Sequence, residues 1–231
     1  MTRTFFWRAL ATALLAGLAC KGPAPTSEAP RAEEPPPPPS DAAAATEETV
    51  LVVFLGDSLT AGLGLDEEQA FPALLERRLE AEGIPIRVVN AGVSGDTTAG
   101  GLSRLDWLLR QRPDVLVVSL GGNDGLRALD VSMTERNLRR IVAEARAAGA
   151  RVLLTGMLAP PNYGPDYTER FKAVFPRLAE ELDVPLVPFL LEGVAAVPEL
   201  NQSDGIHPTA EGQERVADAV EPYLKSIVED L

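Results

Sequence analysis

From Val50 onward, short runs of Val, Leu and Ile alternate with longer stretches in which apolar residues recur every three or four positions. The short runs are Val50 to Leu55, Ile86 to Val89, Asp114 to Leu120, Arg151 to Thr155 and Pro185 to Phe189. None shows the polar alternation of a strand with one wet face, so each predicts a strand covered on both sides. Between them, Phe71 to Ala81, Thr98 to Gln111, Glu135 to Ala148, Thr168 to Leu182 and Thr209 to Val228 predict helices. Leu138, Ile141, Val142 and Ala145, for example, draw a single apolar stripe at helical spacing. Strand then helix, five times over, predicts an α/β fold: an open, five-stranded, mostly parallel sheet between two layers of helices. Ligands of such sheets sit beyond the carboxyl ends of the strands.

The first 49 residues lack this pattern. Arg3 and Arg8 precede the apolar run Ala9 to Ala19, which is too short to span a bilayer and suits the core of a signal peptide over residues 1 to 19. Cys20 follows a small residue, as at the cleavage and lipidation site of bacterial lipoproteins, and a lipid there predicts a membrane tether. The alternative is a cut nearby by a general signal peptidase, with Cys20 incidental. Either route predicts an exported protein, periplasmic or held at a membrane. Residues 20 to 49 carry the unbroken run Pro35 to Pro39 and almost no large apolar side chains, too little to form a core. A proline-rich linker is expected there, extending at about 3.1 Å per residue, hence up to roughly 90 Å. The folded domain is expected over 50 to 231.

Composition narrows the function. The formal charge of -13 is concentrated on the body of the chain, and no basic stripe offsets it, which argues against nucleic acid as a partner. With one cysteine and one histidine in 231 residues, neither an internal disulfide nor a cysteine- or histidine-based metal cage is expected.

The candidate chemistry falls at strand ends. Ser58, in Gly56-Asp57-Ser58-Leu59, directly follows the first strand; it suits a nucleophile on the sheet rim, or equally a helix cap. His207 is the only side chain whose ordinary pKa suits proton transfer near neutrality. In Asp204-Gly205-Ile206-His207-Pro208, Asp204 is spaced to turn back on the imidazole, although the same residues also make an ordinary capped turn. Gly95 follows the second strand and Asn123, in Gly121-Gly122-Asn123-Asp124-Gly125, follows the third. A backbone N–H from the first and a side-chain amide from the second are potential oxyanion donors; both segments also read as simple glycine turns. Asp57 is expected to order its turn rather than titrate, and Ser94 and Ser119 carry structural readings only.

Taken together, the four blocks resemble the SGNH (GDSL) hydrolase family, in the family's order. The resemblance implies a flavodoxin-like three-layer α/β/α fold, no metal or organic cofactor, and a triad of Ser58, His207 and Asp204. It also implies an oxyanion hole of the Ser58 N–H, Gly95 and Asn123. The stretches Ser94 to Thr97, Gly121 to Arg127, Pro161 to Gly164 and Gly205 to Pro208 are most similar to its exported thioesterase, arylesterase and lysophospholipase branch. A small-molecule ester or thioester of medium acyl chain is the expected substrate, with lysophospholipids a second candidate. Pro161, Asn162 and Tyr163 are expected to wall the acyl chain, or else to cover the core. Two other readings compete: a carbohydrate acetylesterase of the same architecture, and a noncatalytic binding lipoprotein. No Gly-x-Ser-x-Gly elbow is present, which argues against an α/β-hydrolase.

Overall fold

The computed structural model describes residues 49–231. The expected signal peptide, Cys20 and nearly all of the linker lie outside the described residues.

Five parallel strands form one sheet in the order β2-β1-β3-β4-β5. They are β1 (Val50–Gly56), β2 (Ile86–Gly92), β3 (Val115–Ser119), β4 (Arg151–Thr155) and β5 (Leu186–Val187). The three central strands carry almost uniformly buried side chains, which is why their sequences lack polar alternation. Among the described residues, eight α-helices connect or flank them: α1 (Ser58–Ala61), α2 (Phe71–Ala81), α3 (Thr98–Leu109), α4 (Gly122–Leu126), α5 (Val131–Ala147), α6 (Pro165–Lys172), α7 (Val174–Leu182) and α8 (Ala210–Glu229). Helices α2 and α8 pack together on one face, and α3, α5 and α7 on the other, giving the expected three layers. Phe54 and Phe71 meet edge to face inside the first interface, while Phe171 and Phe175 do so inside the second.

The sheet turns its carboxyl edge toward the loops that matter. Strand β1 sits between β2 and β3, with Gly56 level with both Gly92 and Ser119. Crossovers therefore leave β1 in opposite senses on its two sides, and the loops after β1, β2 and β3 crowd one rim. A Cβ at Gly92 would collide with the Ala61 nitrogen and the Asp57 carbonyl oxygen, so only glycine lets α1 fold down against β2.

Three elements differ from the expectation. The helix expected over 168 to 182 begins at Pro165 and breaks at Ala173 into α6 and α7. Pro176 has no N–H to give to the carbonyl of Lys172, and its ring would collide with that carbonyl in a continuous helix. Helix α5 starts four residues early because the Asp130 carboxylate caps the Ser132 N–H. Strand β5 shrinks to two residues, flanked by Pro185 and Pro188, neither of which can donate to a ladder.

Candidate active site

Ser58 opens α1 at the carboxyl end of β1, and its side chain is largely buried. Its Oγ lies 2.8 Å from His207 Nε2, although 149 residues separate the two. His207 Nδ1 stands 2.6 Å from Asp204 Oδ2. With Nδ1 carrying the proton toward that carboxylate, Nε2 is left to accept from the Ser58 hydroxyl.

Local chemistry explains why the loop of His207 holds this shape. Asp204 Oδ1 accepts the backbone N–H groups of Ile206 (2.9 Å) and His207 (3.0 Å), which wraps the segment around the carboxylate. Those two N–H groups and the imidazole hold the Asp204 carboxyl well below the usual carboxylate range, the His207 N–H contributing most. Asn201 and Pro208 close the loop as an isolated antiparallel bridge, and the Asn201 amide donates to the Val194 and Val197 carbonyls. On the other side, the Gln202 amide donates to the Leu63 carbonyl, binding the histidine loop to the segment after α1. Gln213 of α8 adds a buried clamp, accepting from the Phe71 N–H and donating to the Leu59 carbonyl.

Asn123 faces the same cleft from α4, and its Nδ2 donates to Asp57 Oδ2 at 3.3 Å. Asp57 does more than order its turn. Its Oδ1 accepts the Leu59 N–H at 3.0 Å, as expected of a cap, yet the carboxyl is almost wholly buried beside Ser58. Burial pushes it up to about 6, against the lowering pull of the Leu59 N–H and the Asn123 amide. Gly95 sits at φ +82° in the turn after β2, a conformation that favours glycine. Its carbonyl accepts from Arg127 at 2.8 Å, and it lies outside the residues that line the cleft.

Two supports have no role in the sequence reading above, although one of them, Asp124, stands inside a quoted motif. Arg104 of α3 donates to the carbonyls of Gly56 (2.9 Å) and Ala91 (2.7 Å) while pairing with Asp96, so one guanidinium ties the ends of β1 and β2 to the Gly95 turn. The buried Asp124 carboxylate accepts from the Thr98 N–H (2.8 Å), the Thr98 hydroxyl (2.5 Å) and the Thr134 hydroxyl (3.1 Å), joining α3, α4 and α5. A periodicity argument reveals neither, because both depend on partners distant in sequence. Ser119 is buried without a hydrogen-bond partner, and Ser94 is exposed; neither lines the cleft.

The cleft measures about 390 Å³ and opens beside Ser58. Leu126, Met157, Leu158, Phe189, Leu191 and Ile206 make most of its wall apolar. Of the expected acyl-chain wall, Pro161 lines the cleft but Asn162 and Tyr163 do not. A single 3₁₀ turn over Pro161–Tyr163 carries the tyrosine outward, where its hydroxyl donates to the Leu126 carbonyl at 2.7 Å and its ring meets Tyr167 edge to face. Among the described residues, no cluster of three or more His, Cys, Asp or Glu side chains is placed to hold a metal ion.

The model of the GDSL-like lipase/acylhydrolase family matches residues 54–215, which contain all of these segments. The chain belongs to that family. Among family relatives, the esterase TesA of Pseudomonas aeruginosa is 50% identical over 181 residues, covering 78% of this chain and 89% of its own. Thioesterase 1/protease 1/lysophospholipase L1 of Escherichia coli K12 is 45% identical over 178 residues, covering 77% and 84%. The crystal structure of TesA superposes with a TM-score of 0.74 at 49% identity, covering 78% of this chain and 99% of that one. AlinE4, an SGNH-hydrolase family esterase, gives 0.66 at 44% identity, covering 78% and 96%. These similarities to GDSL-like acylhydrolases span the described domain and leave the first 48 residues largely aside.

Proposed function

We propose that this protein is an exported serine esterase and acyl thioesterase that uses Ser58 as nucleophile, His207 as general base and Asp204 as the group orienting the imidazole. The observation that carries this reading is the line from Asp204 Oδ2 through His207 to Ser58 Oγ, at 2.6 and 2.8 Å, beside an apolar cleft. His207 Nε2 takes the hydroxyl proton as Ser58 Oγ attacks the acyl carbonyl carbon. The carbonyl oxygen gains the charge and meets the Ser58 and Gly95 N–H groups and the Asn123 amide. Collapse expels the alcohol or thiol, which leaves with the proton from His207. Water, deprotonated by the same imidazole, then splits the acyl-enzyme and frees Ser58 and the carboxylic acid.

The wall of the cleft favours acyl chains over acetylated sugars, because it offers few polar side chains to replace the water around carbohydrate hydroxyls. Lysophospholipids belong to the proposed range, as the name of the Escherichia coli relative also suggests. Residues 1 to 19 are proposed as the export signal and Cys20 as a lipidated anchor; radiolabelled palmitate retained by the wild type and lost in Cys20→Ser is the expected result.

A fluorophosphonate probe tests the central reading. Wild-type protein is expected to be labelled and Ser58→Ala not. A folded wild type that resists labelling would turn the assignment toward a binding module.

A further inference from the structure

Among the described residues, large apolar side chains are exposed mainly at one edge of the sheet. Among the described residues ten are exposed, and eight of them belong to loops, short helices or first helical turns at the carboxyl edge of the sheet. Only Trp107, well along α3, and Leu231, at the end of the chain, lie elsewhere.

Three of the eight line the mouth of the cleft, and hydrogen bonds fasten most of the other segments that carry them to the same rim, as a collar. Leu126, Leu158 and Ile206 line the mouth itself. Tyr163 joins them by donating to the Leu126 carbonyl, and Leu129 follows through its carbonyl, which accepts from Tyr167. Met133 stands one turn further, in the first turn of α5. On the opposite side, the Leu63 carbonyl accepts from Gln202 in the histidine loop, and the Val93 N–H donates to Gly56 behind the serine. With 24% of its residues charged, the chain has polar side chains enough to cover such a ring. Contiguous exposed apolar surface rimmed by polar groups marks a contact site.

The charges around the collar select its occupant. Asp66, Asp130, Asp166 and Asp204 are exposed on the same rim. Arg127, Arg136 and Arg170 on this rim keep their charge, but they are outnumbered by these aspartates together with the exposed Glu67 and Glu68 beside Asp66. Such a rim repels an anionic leaflet, whereas the outward ammonium groups of zwitterionic phospholipids suit the aspartates and the hydrocarbon beneath suits the collar. We infer that the active-site rim docks on a neutral, zwitterionic phospholipid surface, with Leu63, Val93, Leu129 and Met133 reaching into its interfacial layer. The cleft then opens toward the lipid, so that an acyl chain passes from one apolar medium to another. The inference concerns contact with lipid and does not require that Ser58 be reactive.

Site-directed fluorescence tests it on the full chain carrying Cys20→Ser and Ser58→Ala, which leaves one thiol to introduce and vesicles intact. An environment-sensitive label attached after Val93→Cys or Met133→Cys is expected to shift to shorter wavelength and brighten several-fold on phosphatidylcholine vesicles, and less on phosphatidylglycerol vesicles. After Gln111→Cys, at the far edge, the same label is expected to stay unchanged. Silence at the rim while the chain floats with vesicles would overturn the inference, because lipid would then be held by another segment. So would a rim signal that grows with protein concentration in the absence of vesicles, which would make the occupant a second copy. With Ser58 restored, Leu129→Ser combined with Met133→Ser is expected to abolish the rim signal at Val93 and leave hydrolysis of a soluble acetate ester unchanged. A drop in both would point to misfolding and defeat the claim that these residues serve lipid contact.

Discussion

Each oxygen of Asp204 does a different job: Oδ1 holds the loop by its backbone and Oδ2 holds the imidazole. An amide in its place keeps one acceptor and turns a donor toward the other partner, favouring the tautomer with the proton on Nε2. Asp204→Asn is therefore expected to lower kcat about 10⁴-fold with little change in KM, read by steady-state kinetics on a soluble ester. Asp57 offers a second, independent measurement. Its folded pKa of about 6 lies above the ordinary carboxyl value, so the folded state holds this proton more tightly than the unfolded chain does. The group costs nothing below about pH 4 and increasingly opposes folding as pH rises through 6. At pH 7 the opposition amounts to about 3 kcal/mol, because each tenfold difference in proton affinity between the folded and unfolded chain is worth about 1.4 kcal/mol. Urea unfolding of wild type and Asp57→Asn at pH 4.5 and 7.5 should show that the asparagine variant lacks this loss. Equal pH dependence in both would mean that folding leaves the proton affinity of this carboxyl unchanged. Its environment was illegible in the sequence because the cover over Asp57 comes from Gly122 and Asn123, 65 and 66 positions away. His207, by contrast, needed no structure to be singled out, as the chain holds no other imidazole.

At the scale of elements, Asp124 is the joint most exposed to damage. It satisfies the first N–H of α3 and two hydroxyls with one buried carboxylate, so its removal strands three donors in an apolar layer. Asp124→Ala is expected to cost about 3 kcal/mol of stability, measured as a lower urea midpoint at unchanged slope. Because α3 follows the Gly95 turn and α4 carries Asn123, the same change should weaken catalysis before it unfolds the protein. Strand and helix order was legible from aliphatic runs and apolar stripes, and all five strands and four of the five expected helices fall where that pattern places them, the fifth being split in two. Boundaries governed by one residue were harder: the break at Ala173 depends on Pro176, and the early start of α5 on Asp130. The short helices α1 and α4 have too few residues to show a period at all.

For the whole molecule, an apolar cleft of about 390 Å³ makes a statement about chain length. Each methylene transferred from water to such a wall contributes about 0.8 kcal/mol, or about fourfold in kcat/KM when fully buried in the transition state. A series of p-nitrophenyl esters from acetate to dodecanoate should rise by up to that step and level off once the cleft is full. A profile highest at acetate would contradict the acyl-chain reading and favour the sugar-ester alternative.

Ser58 belongs to the first strand-to-helix turn and His207 to the last loop before α8, so hydroxyl and imidazole are synthesised at opposite ends of the folded domain. An incomplete chain emerging from the ribosome has Ser58 without the imidazole proposed as its base. On the proposed roles of Ser58 and His207 the nascent enzyme is therefore inert, and reactivity arrives only with the loop that precedes its last helix.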